Sequence, residues 1–199
     1  MDTLCCSYDG SPSHHTTKFT YVPHIRTIIA GTGLGNFSTE WALPIVGAAL
    51  TLGIEHLDEF ASEQLSLLWA ERKQKDRLPP ELTTTVYHFG ISETTGKVVN
   101  IAYRSEDDFV SEKLSYGLAV KPYCEPPVGD YDFYEMVPGL MDKQRIFQEE
   151  RPMGERLYIG GEILACYLNA DYFKSWSLGK FSDFDTQTKK MFSNFEENN

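Results

Sequence analysis

Residues 16–35 read TTKFTYVPHIRTIIAGTGLG, and the reading of this stretch decides the fold. Thr17 to Val22 is β-branched and aromatic around a single Lys18, which predicts a strand. Pro23-His24 breaks the run, Arg26 to Ala30 is a second short run, and Gly31, Gly33 and Gly35 follow. A two-residue break is hairpin length, so the two runs are expected to be antiparallel neighbours. Upstream, Leu4 to Tyr8 is a short apolar run ending at the turn signal Asp9-Gly10. One continuous sheet is expected from residue 3 to residue 30.

Helices come next. Ser38 is the expected N-cap of a helix running to about Leu52, with Pro44 tolerated only near its start. Gly53 stops it. A second helix begins at His56 or Asp58, with Leu57, Phe60, Ala61, Leu65, Leu68 and Trp69 on one apolar stripe. Lys and Arg crowd its last turns, where the helix dipole favours cations, and Pro79-Pro80 ends it. Thr83 to Ile91 and Lys97 to Arg104 then pair as a hairpin, and Phe109 to Lys113 with Tyr116 to Lys121 reads as a further short pair. Asp132 to Glu149 holds a third helix interrupted at Pro138-Gly139. Glu162 to Leu168 is a strand, and an acidic, fraying tail begins at Asp183. Strands grouped around a helical pair argue for an α+β fold.

The totals narrow the function. The chain has 199 residues and a formal net charge of -11. That charge argues against nucleic acid, whose phosphates need clustered Lys and Arg, and against an anionic membrane surface. No apolar run reaches the length of a membrane span, and the N-terminus lacks the apolar core of a signal peptide. Cys5, Cys6, Cys124 and Cys166 have neither zinc spacing nor a disulfide pattern, so a reducing, cytoplasmic setting is expected.

The glycines invite a dinucleotide-binding reading, since glycine lets backbone approach a pyrophosphate at a helix N-terminus. The spacing is wrong. The fingerprint wants glycines at 31, 33 and 36, position 36 is Asn, and no second parallel strand follows.

Element order and several short motifs instead resemble the proteasome β-subunit branch of the Ntn-hydrolase superfamily. LCCSYDG resembles that family's second strand, ending in Asp9. TTKFTYVPH carries the matching Lys18, IIAGTG supplies Ala30-Gly31, and the helices at 38–52 and 56–75 resemble its helical pair. The resemblance implies an α+β, four-layer αββα sandwich, with two mainly antiparallel sheets between helices, over residues 1–182, and a separate tail at 183–199. It also implies the chemistry of amide hydrolysis, on a peptide or small amide. An N-terminal Thr, Ser or Cys attacks, and its own α-amine, which titrates near neutrality, serves as base. Lys18 would keep positive charge beside the nucleophile, Asp9 would hold that lysine, and the Gly31 N–H would serve the oxyanion. No cofactor and no metal is implied.

The nucleophile departs from the pattern. In the family it opens a strand ahead of the aspartate-ending one, and eight residues before Asp9 are too few for that. Thr3, Cys5, Cys6 and Ser7 are chemically able, yet each falls on the expected second strand. We therefore expect the first strand to be missing or the chain to start late, and no amidase activity from the chain as it stands. The alternative is a non-catalytic structural or assembly protein that keeps the fold, since a sheet lacking a strand exposes an edge for homo-oligomer formation. Of the other candidates, His14, His15 and His24 form a polar turn more readily than a metal site, and Glu106-Asp107-Asp108 reads as a solvated loop. Tyr123, Tyr131, Phe133 and Tyr134 form an aromatic group suited either to a partner surface or to capping the core.

Overall fold

The computed structural model describes residues 1–7, 9–48, 50–126 and 128–197. Tyr8, the expected end of the first apolar run, and Ala49, inside the expected first helix, lie outside the described residues. The chain forms two compact units. One comprises Met1–Thr17, Gly117–Cys166 and Ser175–Asn199, and the other Lys18–Tyr116 and Tyr167–Lys174. The fold is α+β; among the described residues there are a five-stranded sheet and two two-stranded sheets, with antiparallel pairing in β1–β2 and throughout the five-stranded sheet.

The second unit is built on the hairpins read from the sequence. β3 (Phe19–Val22) and β4 (Thr27–Thr32) pair with Thr20 opposite Ile29, joined by a single 3-10 turn at Pro23–Ile25. Arg26 closes that turn in a left-handed conformation, φ 46°. Between β4 and β5 (Thr85–Ile91) run the two helices, α1 (Phe37–Ala48) and α2 (Ile54–Asp76). β6 (Val98–Arg104) continues the sheet, and β7 (Glu112–Lys113) pairs on β6. The expected pairing of residues 109–113 with 116–121 is thus replaced by an edge strand on β6.

The predicted stripe of α2 packs inward. Leu57, Ala61, Leu65 and Trp69, at four-residue steps, are buried with Ile29, Val86, Ile101 and Tyr103 of the sheet. Each such side chain contributes about 1.5–3 kcal/mol on burial. Ser38 does not cap α1, which starts one residue earlier, and its side chain lies against Gly31, where a Cβ would sit 2.6 Å from Ser38 Oγ. Pro44 falls at the end of the second turn, inside the helix. The N-terminus of α2 is capped from afar, since Glu93 accepts from the backbone N–H groups of Glu55 (3.1 Å) and His56 (2.8 Å). Burial works against the Glu93 charge, but the N–H donors of Glu93 itself, His56 and Glu55 outweigh it and hold the carboxyl below its usual range. Gly53 admits that carboxylate, because a Cβ there would overlap it.

The first unit holds β1 (Leu4–Cys6) paired with β2 (Pro12–His15), α3 (Phe133–Glu149) and α4 (Phe184–Glu197). The hairpin of β8 (Glu162–Leu168) and β9 (Phe173–Lys180) has its base here, while its tip, Tyr167–Lys174, groups with the second unit. In the second unit the tip stacks Phe173 on Tyr21 at 4.1 Å, and the Ala170 carbonyl accepts from Arg26. α3 is continuous through Pro138 and is capped by Asp132, whose carboxylate accepts from the Tyr134 N–H at 2.7 Å.

Three expectations change. Residues 3–30 are not one sheet, because β2 pairs only with β1 and β3 opens a different sheet. Pro12–His15, expected as a polar turn, is the strand β2 and pairs with β1. Phe184–Glu197 is helical, and the Asp183 carboxylate just before it takes two hydrogen bonds from Arg145 (2.7 and 2.6 Å), so the described part of the expected fraying tail is an anchored helix.

Deep in the second unit, the Trp41 indole donates to His88 Nε2 at 2.9 Å. His88 is fully buried, and burial pushes its imidazole down to about 3. The unfolded chain therefore binds a proton that the folded chain refuses. This stabilisation is whole above about pH 6.5, the ordinary histidine value, and is lost as pH falls toward about 3. Below pH 6.5 the slope approaches about 1.4 kcal/mol per pH unit. His88→Gln keeps an acceptor for Trp41 and removes the titration. Urea denaturation of both proteins between about pH 4 and pH 7 is expected to show the wild type losing stability more steeply toward acid; parallel curves would contradict the assignment.

Candidate functional site

Asp9 lies in the β1–β2 turn. Its Oδ1 accepts from the Ser11 hydroxyl (2.7 Å) and the Ser11 N–H (3.0 Å), which hold the carboxyl below its usual range. The group is fully exposed and its work is to close the turn. Gly10 follows with φ 82°, and a Cβ there would overlap the Tyr158 ring.

Lys18 and Gly31 belong to the second unit, Asp9 and Thr3 to the first. Lys18 stands immediately before β3, and its carbonyl accepts from the Gly31 N–H at 3.4 Å. Gly31 sits within β4 opposite Val86. The N–H expected to face an oxyanion is therefore part of the sheet ladder. Gly31 is needed for another reason, the close approach of Ser38 at the start of α1. Gly33 has φ 96° and presses on the Thr83 carbonyl, a backbone crossing only glycine fits.

Of the candidate nucleophiles, Thr3 is 5% exposed and lies just ahead of β1. Its Oγ1 accepts from the Glu162 N–H at 2.8 Å, its N–H donates to the Gly160 carbonyl and its carbonyl accepts from Thr16. Cys5 pairs across the hairpin with His14 and Cys6 with Pro12, and both are half-buried. The Met1 ammonium donates to the Leu164 carbonyl at 2.7 Å, and Asp2 bridges to Ile163, so the first residues lie along β8.

These contacts assemble a cluster that sequence reasoning missed. Thr3, His15 and Thr188 gather about Gly160-Gly161 in the first unit. A Cβ at Gly161, where φ is 81°, would overlap Thr3 Oγ1 and crowd His15 Nδ1. His15 stacks on Phe184 at 4.7 Å, and its Nε2 meets Thr188 Oγ1 at 3.1 Å. The Thr188 hydroxyl donates to the Phe184 carbonyl, so it accepts from Nε2–H, and the neutral ring keeps Nδ1 as a buried acceptor without a partner. Burial, then repulsion from His14, lowers the His15 pKa, with Glu162 opposing. The Gly160-Gly161 doublet was the only signal of this cluster in the sequence. A threonine and an imidazole side by side resemble a nucleophile and its base. Yet the Thr3 hydroxyl is enclosed and accepts a hydrogen bond from the Glu162 N–H, a contact that ties the start of β1 to β8.

Among the described residues, the concave surfaces of the first unit include these two. One, about 340 Å³, is lined by polar groups including Arg145, Gln148, Arg156 and Tyr158. There Gln148 accepts from the Leu157 N–H, and Arg145 is committed to Asp183 and Glu149. The other, about 370 Å³, is lined by Tyr123, Cys124, Glu125, Lys143, Ile146, Phe147 and Glu150 and is mostly apolar. Among the described residues no group of three His, Cys, Asp or Glu side chains is placed to hold a metal ion, and no helix is long and apolar enough to cross a membrane.

Replacing Thr3 by Val keeps the shape and leaves the Glu162 N–H without its acceptor. The expected cost is about 1–3 kcal/mol in urea denaturation, with Thr3→Ser close to wild type. If Ser costs as much as Val, the methyl group and not the hydrogen bond is what matters.

Comparison with known proteins finds no family model, curated protein or solved structure that matches this chain.

Proposed function

We propose that this chain is a non-catalytic assembly protein with an Ntn-hydrolase-like order of elements, which associates with further copies of itself. The observation that carries the reading is α1. Its inner face, Phe37, Trp41 and Ile45, lies in the core, while its outer face presents Leu43 (62% exposed) and Val46 (43% exposed). No charged residue occurs between Glu40 and Glu55, and Leu50 and Leu52 beyond the helix are exposed as well. An outward face with no charge to keep it in water is the composition of an interface core. From Trp41 onward α1 is apolar on both faces, and a helical segment of that kind is ordinarily buried on all sides.

The groups that amide hydrolysis would call on are otherwise engaged. The Thr3 hydroxyl takes the Glu162 N–H, the Asp9 carboxylate closes its own turn and the Gly31 N–H serves the sheet. Freeing any of them would break contacts that hold a strand or turn in place.

Sedimentation velocity at rising concentration is expected to show self-association that Leu43→Glu with Val46→Glu weakens, with the circular dichroism of the fold retained. The purified chain is expected not to cleave fluorogenic peptide amides. A monomer at every concentration would sink the assembly reading. Turnover abolished by Thr3→Ala or by Cys5→Ala/Cys6→Ala would overturn the non-catalytic one.

A further inference from the structure

We propose that the exposed face of α3 is a two-fold contact between copies of this chain, and that its charge order sets an antiparallel register. The proposal rests on the assembly reading above and names a second surface for it.

Lys143, Ile146, Phe147 and Glu150 fall at steps of three, one and three residues, which places them on one side of a helix. Glu150 closes α3 while still in right-handed helical conformation, so it continues the same path. All four side chains are exposed, Ile146 by 58% and Phe147 by 52%. They line one wall of the 370 Å³ groove, and Tyr123, Cys124 and Glu125 line the other. Exposed β-branched and aromatic side chains in the middle of a helix face are a recognition feature when they sit in a concave, mostly apolar surface.

The charges identify the occupant. Along the helix the order is positive, apolar, apolar, negative. Turned end for end by a two-fold axis beside Ile146 and Phe147, this order is its own complement. Lys143 of each copy meets Glu150 of the other, and the two Ile146-Phe147 pairs pack between them. A two-fold contact demands such self-complementarity, and an arbitrary partner does not. On α3 only Arg145 and Glu149 are ion-paired inside the chain, and Glu135 and Asp142, like the two stripe charges Lys143 and Glu150, have no ion pair among the described residues. Arg145 is bound to Asp183 and Glu149. The stripe is also electrically neutral, so it can be buried between two copies of a chain whose net charge of -11 otherwise opposes their approach. Glu125 adds a carboxylate to the groove wall, a further acceptor for an incoming lysine.

The decisive test is charge reversal followed by charge exchange, read by sedimentation equilibrium. Lys143→Glu and Glu150→Lys alone each convert two attractive pairs into repulsive ones. Each is expected to raise the dissociation constant of this contact about tenfold. The double variant Lys143→Glu/Glu150→Lys restores the complement and is expected to return toward wild-type affinity. Damage to the fold could not produce that rescue. Ile146→Lys is expected to abolish the contact with the circular dichroism spectrum unchanged. Absence of rescue, or association indifferent to all four α3 variants, overturns the two-fold contact. If such association is still weakened by Leu43→Glu/Val46→Glu, the assembly reading stands without it, and a wild-type monomer at all concentrations ends both.

Discussion

The hydrogen bond from the Trp41 indole to His88 Nε2 fixes how α1 lies on the five-stranded sheet. Dispersion and burial would hold the helix there in several registers, because its inner face offers apolar side chains at every turn. A buried donor and a buried acceptor allow only one, since a slip of a single turn would strand both. Tyr103 packs tilted against the same imidazole at 4.7 Å and sends its hydroxyl to Asp58 on α2, which also accepts from Ser111. One chain of contacts thus ties α1, β5, β6 and α2 together. The sheet and its helical pair keep their mutual position through these few polar contacts inside an apolar layer.

Much of this unit could be read from the chain because its signals are local. The α2 stripe has a 3.6-residue period, and the runs Thr83–Ile91 and Lys97–Arg104 are β-branched around a Thr-Thr-Gly turn, so each element announces itself. What could not be read is which strand pairs with which. β2 (Pro-Ser-His-His) has the composition of a polar turn and β3 (Phe-Thr-Tyr-Val) that of a strand, and only the tertiary structure makes both strands, in different sheets. β7 went to β6 for the same reason, its two residues carrying no preference of their own. α4 looked like a tail because its composition is polar. It is held by Arg145 on Asp183 and by Thr188 under His15, contacts between residues far apart in the chain.

The candidate site was legible only as residue types. Asp9, Lys18, Gly31 and Thr3 were singled out because a family pattern asked for such groups, and Asp9, Gly31 and Thr3 also have local structural roles. An aspartate before glycine closes a turn through Ser11, and a glycine in a strand makes room for Ser38. A threonine at the edge of a strand satisfies the Glu162 N–H. Short polar residues beside glycine serve backbone geometry throughout proteins, so their presence in order is weak evidence of chemistry. The Thr3, His15 and Thr188 cluster shows the converse. Its members are separated by up to 185 residues, and no spacing rule brings them together.

The two exposed helix faces differ in a way that separates sticking from recognition. On α1 the outward residues Leu43 and Val46 are apolar and no charged residue follows Glu40 before Glu55, so the face can contribute association energy but does little to choose orientation or register. On α3 a smaller apolar pair is bracketed by one cation and one anion. Such rim charges add little energy in water, because solvent and salt screen them. What they add is discrimination, since a parallel or shifted partner would set like charges against each other. An apolar face without charges needs some other element to define how copies meet. The charge order of α3 is an element of that kind, and it belongs to a helix that the Asp132 cap and the Arg145–Asp183 pair hold in place.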